Sequence, residues 1–322
     1  MAWFARFSDD LYSGRRSIDF VGRYKIWYSA SFVILLVAIL GPFFHGGYKF
    51  GIEFTGGSQF VISDVKQKSI ELAREVVKKT VDKPSVVTTF GKGLVVRTDQ
   101  LSDTQSNSVR DALADTYGVS HDAVAASYIG PSWGQDVTRQ GIQGLVIFLL
   151  LVFVVMALYF RTWRMSLSAI IALFHDLIIT AGIYGLLGLE ITPAAVIGLL
   201  TILGYSLYDT VVVFDRVREN RALDPTCSDY KGIVNRAVNQ TFVRSINTSL
   251  IAVLPVASIL FIGSLILGAS TLSDISVALF IGMLAGAYST IVIASPTYAL
   301  LCKKLPSGKE KRLRKAPVKA PG

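Results

Sequence analysis

The chain has 322 residues, of which 52% are hydrophobic and 17% charged, with a formal net charge of +9. A charged fraction this far below a quarter excludes an ordinary soluble domain and indicates a membrane protein. The basic excess does not indicate a nucleic-acid groove, because Lys and Arg are neither spread along one face nor interleaved with aromatic residues.

Six apolar segments are long enough to cross a bilayer as helices, which requires roughly 18 residues or more. Five of these runs contain no Lys, Arg, Asp or Glu, and the third is interrupted by the pair His175 and Asp176. Two spans are interrupted by carboxylates, because the fourth span is predicted to continue past its run through Asp209. In chain order they span residues 26–48, 140–160, 165–189, 191–208, 245–273 and 275–302. The first is too long and too late for a cleavable signal peptide, so we expect it to be retained.

The predicted organisation follows from these segments. An N-terminal segment (1–25) precedes transmembrane helix 1 (26–44). A domain over 45–140 follows, and then helices 2 to 6 (141–302) with a loop at 216–243. A basic tail (303–322) ends the chain. Lys and Arg cluster in the N-terminal segment, in the loops after the second and fourth spans and in the tail, whereas the short loops around Glu190 and Asp274 contain none. Both termini are therefore predicted to be cytoplasmic, and the 45–140 domain extracytoplasmic. Cys227 and Cys302 are predicted to be free thiols.

The periodicity of the 45–140 segment predicts strand, helix, strand, strand, helix, strand. "SQFVIS" alternates, the helical spacing of Ile70, Ala73, Val76 and Val77 follows, and "SVVTTF" and "LVVRT" flank the short turn at 91–93. A second helix is predicted between its cap Ser102 and its stop Gly118, before the strand "AVAASYI". This order is the split βαβ of a small α+β ferredoxin-like domain. No nucleophile or zinc arrangement surrounds its His121, so a scaffold or polypeptide-contact role is favoured.

Asp209 is the most costly residue in the membrane segments, because an ionised carboxylate there costs about 2.5 kcal/mol or more. Counted from Pro193 at about 1.5 Å per residue, it lies about 24 Å into a core of roughly 30 Å. Tyr205 and Ser206, four and three residues earlier, are candidates to hydrogen-bond its carboxylate. Arg244, at the start of the fifth span, is the candidate counter-charge, which protonation of Asp209 would release. The competing interpretation is that Arg244 extends to the interface and Asp209 fixes helix packing.

Other polar and small residues in the spans have two interpretations each. His175 and Asp176 either extend a proton path or tie helices together, with Thr180 as one candidate partner of Asp176. Gly282 and Gly286, with the neighbouring small residues Ala285, Ala287, Ser289 and Thr290, indicate a packing face in the last span. The "GKG" at 91–93 lacks the remaining residues of a P-loop, so no nucleotide cofactor is predicted. We likewise predict no metal site, no catalytic residue and a protein that is not an enzyme.

Five stretches in order along the chain resemble the SecD/SecF family of bacterial protein-export membrane subunits. They are "GIEFTGGSQF", "FHDLIIT", "GYSLYDTVVVFDRVREN", "RSINTSL" and "FIGMLAGAYSTIVIASPT", of which "DTVVVFDRVREN" is the most specific. The resemblance implies a fold related to resistance-nodulation-division transporters, in which six membrane helices form one half and SecD supplies the other. It also implies a multi-pass location in the bacterial plasma membrane.

The resemblance further implies partners and residue roles. The implied partners are SecD, the SecYEG channel with links through YajC, YidC and SecA, unfolded preprotein clients, and membrane lipids. The implied activity is proton-motive-force-driven help in late translocation and release of preproteins. Asp209 and Arg244 match family positions implicated in proton transport, and Phe54, Thr55, Gly56 and Gly57 match a glycine-bearing motif where the outer domain is hinged.

Two other functional classes stay open from the sequence. One is an ion-coupled small-molecule efflux transporter of the same fold, which would favour a larger outer domain and both halves in one chain. The other is a purely structural assembly subunit, in which every buried charge serves packing. Neutralising Asp209 without losing assembly would separate the structural role from proton coupling.

Overall fold

A computed structural model describes residues 9–44, 46–63, 65, 69–90, 93–223, 229–264 and 270–303. Cys227, residues 91–92 of the predicted turn and the basic tail from residue 304 onward lie outside these ranges. Within them, six helices are long and apolar enough to cross a membrane, which confirms the predicted fold class. In chain order the elements are α1 (Tyr24–Phe44), β1 (Lys49–Phe50), α2 (Ile52–Thr55), β2 (Gly57–Ile62), α3 (Ile70–Val81), β3 (Ser85–Phe90), β4 (Gly93–Thr98), α4 (Asp103–Tyr117), β5 (Val124–Ile129), α5 (Pro131–Phe160), α6 (Trp163–Leu186), β6 (Glu190–Ile191), α7 (Pro193–Leu223), α8 (Tyr230–Ser258), α9 (Ser270–Ser289) and α10 (Ser295–Lys303).

Several helices extend beyond the apolar segments that predicted them. α5 begins at Pro131, inside the segment assigned to the outer domain, and most of the predicted 216–243 loop is helical, because α7 ends at Leu223 and α8 begins at Tyr230. The apolar pattern marks only the part of a helix that faces apolar surroundings. The "RVREN" stretch is polar but rich in good helix formers, so the helix continues through it.

Two of the long helices contain π-helical turns. α8 continues as a π-helix over Ile259–Ser264, and a second π-helix, Thr290–Ala294, joins α9 to α10. Pro296 follows the second one and has no N–H to offer the preceding turn. The carbonyl of Thr290 accepts both the backbone N–H of Ser295 and, at 2.8 Å, its Oγ–H. Thr290 therefore lies in an irregular turn, a feature that often marks functional positions in helices.

The α+β domain has the predicted ferredoxin-like topology. Its four strands form an antiparallel sheet in the order β3-β4-β2-β5, so the first and third strands are central. Phe60, Leu94 and Leu113 are fully buried between the sheet and helices α3 and α4. Ser102 and Gln105 form the capping box that starts α4, and Gly118 ends it in the left-handed conformation, as the sequence predicted.

A short parallel pairing connects the α+β domain to the membrane helices. β1, directly after α1, pairs with β6 in the loop between α6 and α7, so Lys49 lies opposite Glu190. The chain then makes the single turn α2 and passes Gly56 and Gly57, whose φ angles are 74° and 127°. A Cβ at Gly57 would lie 2.6 Å from the carbonyl oxygen of Thr98, so only glycine fits there. The predicted hinge residues Phe54, Thr55, Gly56 and Gly57 thus form this connection, and their movement stays a prediction.

The membrane helices are unequally buried. In the most apolar 18-residue stretch of each membrane helix, more than half of the residues are buried in α6 and in the last span, which begins with α9, and 39% are buried in α7. Fewer than a fifth are buried in the corresponding stretches of α1, α5 and α8. α6, α7 and α9 therefore form the centre, and α1, α5 and α8 leave apolar faces open to lipid or another subunit. Buried polar groups should concentrate on the three central helices, because a polar group facing lipid has no partner.

We expect Gly182→Ala in α6 to lower the free energy of unfolding by about 1–3 kcal/mol, the cost of overpacking. A Cβ at Gly182 would lie 2.5 Å from the carbonyl oxygen of Ala38 and 2.6 Å from its Cα, so α1 has to move away. Thermal unfolding of the purified protein in detergent, followed by circular dichroism, measures the change. The matched control is Gly144→Ala in α5, where an added Cβ meets nothing within 4 Å. Equal shifts for both variants would contradict the close α1–α6 contact.

Candidate functional site

Asp209 lies on α7 and is buried, with 6% of its surface exposed. Ser245 of α8 donates a hydrogen bond from Oγ to Asp209 Oδ1 at 2.6 Å. The other carboxyl oxygen, Oδ2, is buried without a hydrogen-bond partner among the described residues. Burying a carboxyl group with an unpaired oxygen costs more free energy when the group is ionised than when it is a neutral acid, and Asp209 therefore stays the candidate for proton binding.

Arg244 interacts with Asp209 electrostatically, but no direct ion pair joins the two side chains among the described contacts. Arg244 therefore acts on Asp209 through space rather than by direct contact, and its role as the counter-charge stays a prediction. The reason that the two do not pair directly is the rotation of α8. Ser245 is buried and directed at α7, which leaves Arg244, about 100° round the helix, exposed on the surface of the chain.

The two predicted supporting residues do not contact Asp209 as expected. Ser206 donates from Oγ to Asp176 Oδ2 at 2.7 Å, so its single hydroxyl proton is not available to Asp209. Tyr205 has its hydroxyl near that of Ser249 on α8 and interacts with Asp209 only electrostatically. Ser245, a residue from another helix, takes the supporting role.

Asp176 of α6 is the centre of a second polar cluster and is only 1% exposed. Its Oδ2 accepts hydrogen bonds from Ser206 of α7 at 2.7 Å and from Ser289 of α9 at 2.9 Å. Its Oδ1 lies 3.3 Å from Nδ1 of the adjacent His175. Thr180, the predicted partner, instead donates to the backbone carbonyl of Asp176 at 2.8 Å. One carboxyl group therefore joins the three central helices.

His175 extends this cluster towards α1. Its ring stacks on that of Tyr288, with centroids 6.0 Å apart and planes inclined by 23°. The Tyr288 hydroxyl in turn lies 2.8 Å from Ser31 Oγ. His175 Nε2 is buried and has no hydrogen-bond partner among the described residues. His175 thus connects the Asp176 cluster to Tyr288 and, through the Tyr288 hydroxyl, to Ser31 of α1.

The small-residue face of the last span, predicted to serve packing, also positions this cluster. A Cβ at Gly286 would lie 2.9 Å from Ser206 Cβ, and one at Gly282 would lie 2.5 Å from Ile202. The absence of side chains at both positions lets α9 approach α7 closely. Ser206 and Ser289 consequently reach the same carboxyl oxygen of Asp176.

The two acids are connected through α7. Ser206, which contacts Asp176, is three residues before Asp209, so the two side chains project about 60° apart round the helix. Thr210, next to Asp209, hydrogen-bonds Thr290 of the π-helical turn at 2.9 Å.

Within the described residues, no group of three or more His, Cys, Asp and Glu is placed to hold a metal ion. A proton-relay role for Asp209, Asp176 and His175 stays a prediction.

Sequence reasoning missed some residues of the site and assigned others to packing. Ser245 was not singled out, and Ser289 and Thr290 were assigned only to the packing face. The available signal was the presence of hydroxyl side chains in apolar spans that also carry small residues. That signal does not say which hydroxyl meets which acid.

Six membrane helices with buried acids at their centre, joined to a ferredoxin-like domain between the first and second, define one half of a resistance-nodulation-division type membrane protein. Residues 108–304 match the profile described as "Protein export membrane protein SecD/SecF, C-terminal". The chain belongs to the SecD/SecF family of protein-export membrane proteins.

Similar proteins support this assignment along most of the chain. The protein translocase subunit SecF of Streptomyces coelicolor is 43% identical, over 97% of this chain and 84% of that protein. The SecF of Mycobacterium tuberculosis strain H37Rv is 38% identical, over 92% of this chain and 69% of that protein. The crystal structure of SecDF from Thermus thermophilus, described as a translocon-associated membrane protein, superposes with a TM-score of 0.80 at 31% identity. That match covers 90% of this chain but 39% of the SecDF chain.

Proposed function

We propose that this chain is a non-enzymatic accessory subunit of the Sec protein-export translocase. Together with SecD it uses the proton motive force to promote late translocation and release of preproteins. Membership of the SecD/SecF family supports the place in protein export. The observation that carries the proton coupling is Asp209, a buried acid in a membrane helix with one oxygen unpaired.

The proposed assembly follows from the family and the exposed helix faces. SecD covers apolar faces of the six-helix half, since the relative from Thermus thermophilus is named SecDF and this chain matches 39% of it. The SecYEG channel, reached through YajC, YidC and SecA, and unfolded preproteins complete the set of proposed partners. We place the protein in the bacterial plasma membrane with both termini cytoplasmic and the α+β domain outside. Lys and Arg cluster near both termini and in the loops after the second and fourth spans, and such clusters favour the cytoplasmic side.

In the proposed cycle a proton binds Asp209 and removes its charge. Its electrostatic attraction to Arg244 disappears, and α7 and α8 shift relative to each other. Because α7 also carries Ser206, the shift reaches Asp176 and thereby α6 and α9. The movement ends at the connection formed by Phe54 to Gly57, where the outer domain changes its position while it holds a client.

An export assay in cells depleted of their own SecF tests this proposal. Cells carrying this chain, with SecD association confirmed, should complete export of a signal-peptide reporter faster than depleted cells, and a protonophore should remove the increment. Restored export that a protonophore leaves unchanged would contradict proton coupling and favour a structural subunit. Sensitivity to small toxic compounds on depletion, with export intact, would instead favour the efflux transporter.

A further inference from the structure

A buried ion pair joins the α+β domain to the membrane helices. Arg97 in β4 pairs with Glu190 in β6, and their side chains are only 15% and 11% exposed. Gln59 on β2 orients the guanidinium, since its Oε1 accepts from Arg97 Nε at 2.8 Å. Solvent screens such a pair less than a surface pair. The contact therefore fixes the sheet of the outer domain against the loop between α6 and α7.

Two further carboxyl groups act on the same guanidinium. Glu53 in α2 and Asp274 in α9 both interact electrostatically with Arg97. Burial lowers the pKa of Arg97 to about 10, while these carboxylates oppose that effect. Arg97 is therefore charged at neutral pH. One cation of the outer domain thus faces carboxylates from α2, β6 and α9.

The three central membrane helices contact both this junction and the Asp176 cluster. Asp274 accepts from Thr192 Oγ1 at 2.8 Å, and its backbone carbonyl accepts from the Tyr184 hydroxyl. Tyr184 lies on α6 with Asp176, Thr192 precedes α7 with Ser206, and Asp274 lies on α9 with Ser289. At 1.5 Å per residue, the junction residue and the cluster residue are separated by about 12 Å along α6, about 21 Å along α7 and about 22 Å along α9.

We infer that Arg97 and Glu190 form a latch, here called the junction latch, that opens and closes as the Asp176 cluster rearranges and so transmits movement of the membrane helices to the outer domain. Arg97 and Glu190 are positioning residues for the export stroke. The inference rests on the proposed function, because it requires that a stroke takes place. The inference goes beyond a hinge at Phe54 to Gly57. A hinge only permits the outer domain to move, whereas the junction latch controls when the outer domain moves.

Reversible cross-linking across the junction tests the inference. Arg97 and Glu190 are replaced by Cys in a chain whose native Cys227 and Cys302 are Ser. A short bis-methanethiosulfonate linker, cleavable by dithiothreitol, then spans the gap that the two long side chains occupied. The control pair is Val61→Cys with Ala125→Cys, two facing positions within the outer-domain sheet. A second junction pair, Gln59→Cys with Glu190→Cys, retains Arg97 and serves if the first reaches the membrane poorly.

Because the double-Cys chains lack the ion pair, export by each of them before cross-linking is the reference level. We expect the cross-link to reduce export from that reference to the level seen with a protonophore, and dithiothreitol to return it to the reference, with no effect in the control pair. If the junction were only structural, a cross-link that keeps it closed would leave export at the reference level, and that result would overturn the inference. The uncross-linked parent chain separates the two proposals. If the parent itself shows no protonophore-sensitive export, it is the proposed function that fails.

Discussion

Asp209→Asn should abolish the whole protonophore-sensitive increment of export and leave the export that a protonophore does not affect in place. Asn has nearly the same size, and its carbonyl oxygen can still accept the hydrogen bond from Ser245. It cannot ionise, so no proton binds or leaves at this depth and the electrostatic interaction with Arg244 never changes. The measurement is the completion of reporter export with and without a protonophore, at matched membrane level and SecD association.

Asp215→Asn on the same helix is the matched control for this experiment. Asp215 is only half-buried and accepts hydrogen bonds from the Tyr159 hydroxyl at 3.1 and 3.3 Å, so its loss should leave the increment unchanged. Asp209→Glu retains an ionisable group and should retain part of the increment. An Asp209→Asn chain that exports normally and still responds to the protonophore would show that the acid serves packing.

Asp176→Asn is expected to remove most of the same increment without unfolding the protein. The Asn carbonyl can accept from Ser206 or Ser289, and the hydroxyls can rotate to accept from its amide, so the three helices stay joined. The Asn side chain cannot ionise, so the proposed exchange of a proton at this position is lost. Export assays report the coupling, and thermal unfolding of the purified protein reports the stability.

If Asp176 has a purely structural role, the opposite effects on export and stability are expected. Its Asn variant would then keep full export, and only truncation to Ala would matter, through the loss of hydrogen bonds worth about 1.5–3 kcal/mol each to a charged group. Thr180→Val provides the control, because the Thr180 hydroxyl bonds the helix backbone and not the carboxyl group. Its export should match that of the parent chain.

The hydrogen-bond partners of Ser206 and Asp209 on α7 differ from those that their spacing predicts. The spacing of Ser206 and Asp209 is compatible with a hydrogen bond along one helix, which is why the sequence favoured it. The structure gives Ser206 to Asp176 and Ser245 to Asp209. The first contact follows from the close approach of α9 to α7 at Gly282 and Gly286, and the second from the rotation of α8 that buries Ser245.

The sequence by itself determined the properties that depend on local pattern. Apolar run lengths gave the six membrane helices, alternation and helical spacing gave the ferredoxin-like order, and the cost of burying a charge selected Asp209. The tertiary structure alone decided which polar groups meet. Arg97 and Glu190 are far apart in the chain, and their contact depends on how β1 pairs with β6. Packing between helices sets the rotation and depth of each helix. Because a shift of one residue turns a side chain by about 100°, the sequence of one helix does not determine the partners of its buried charge.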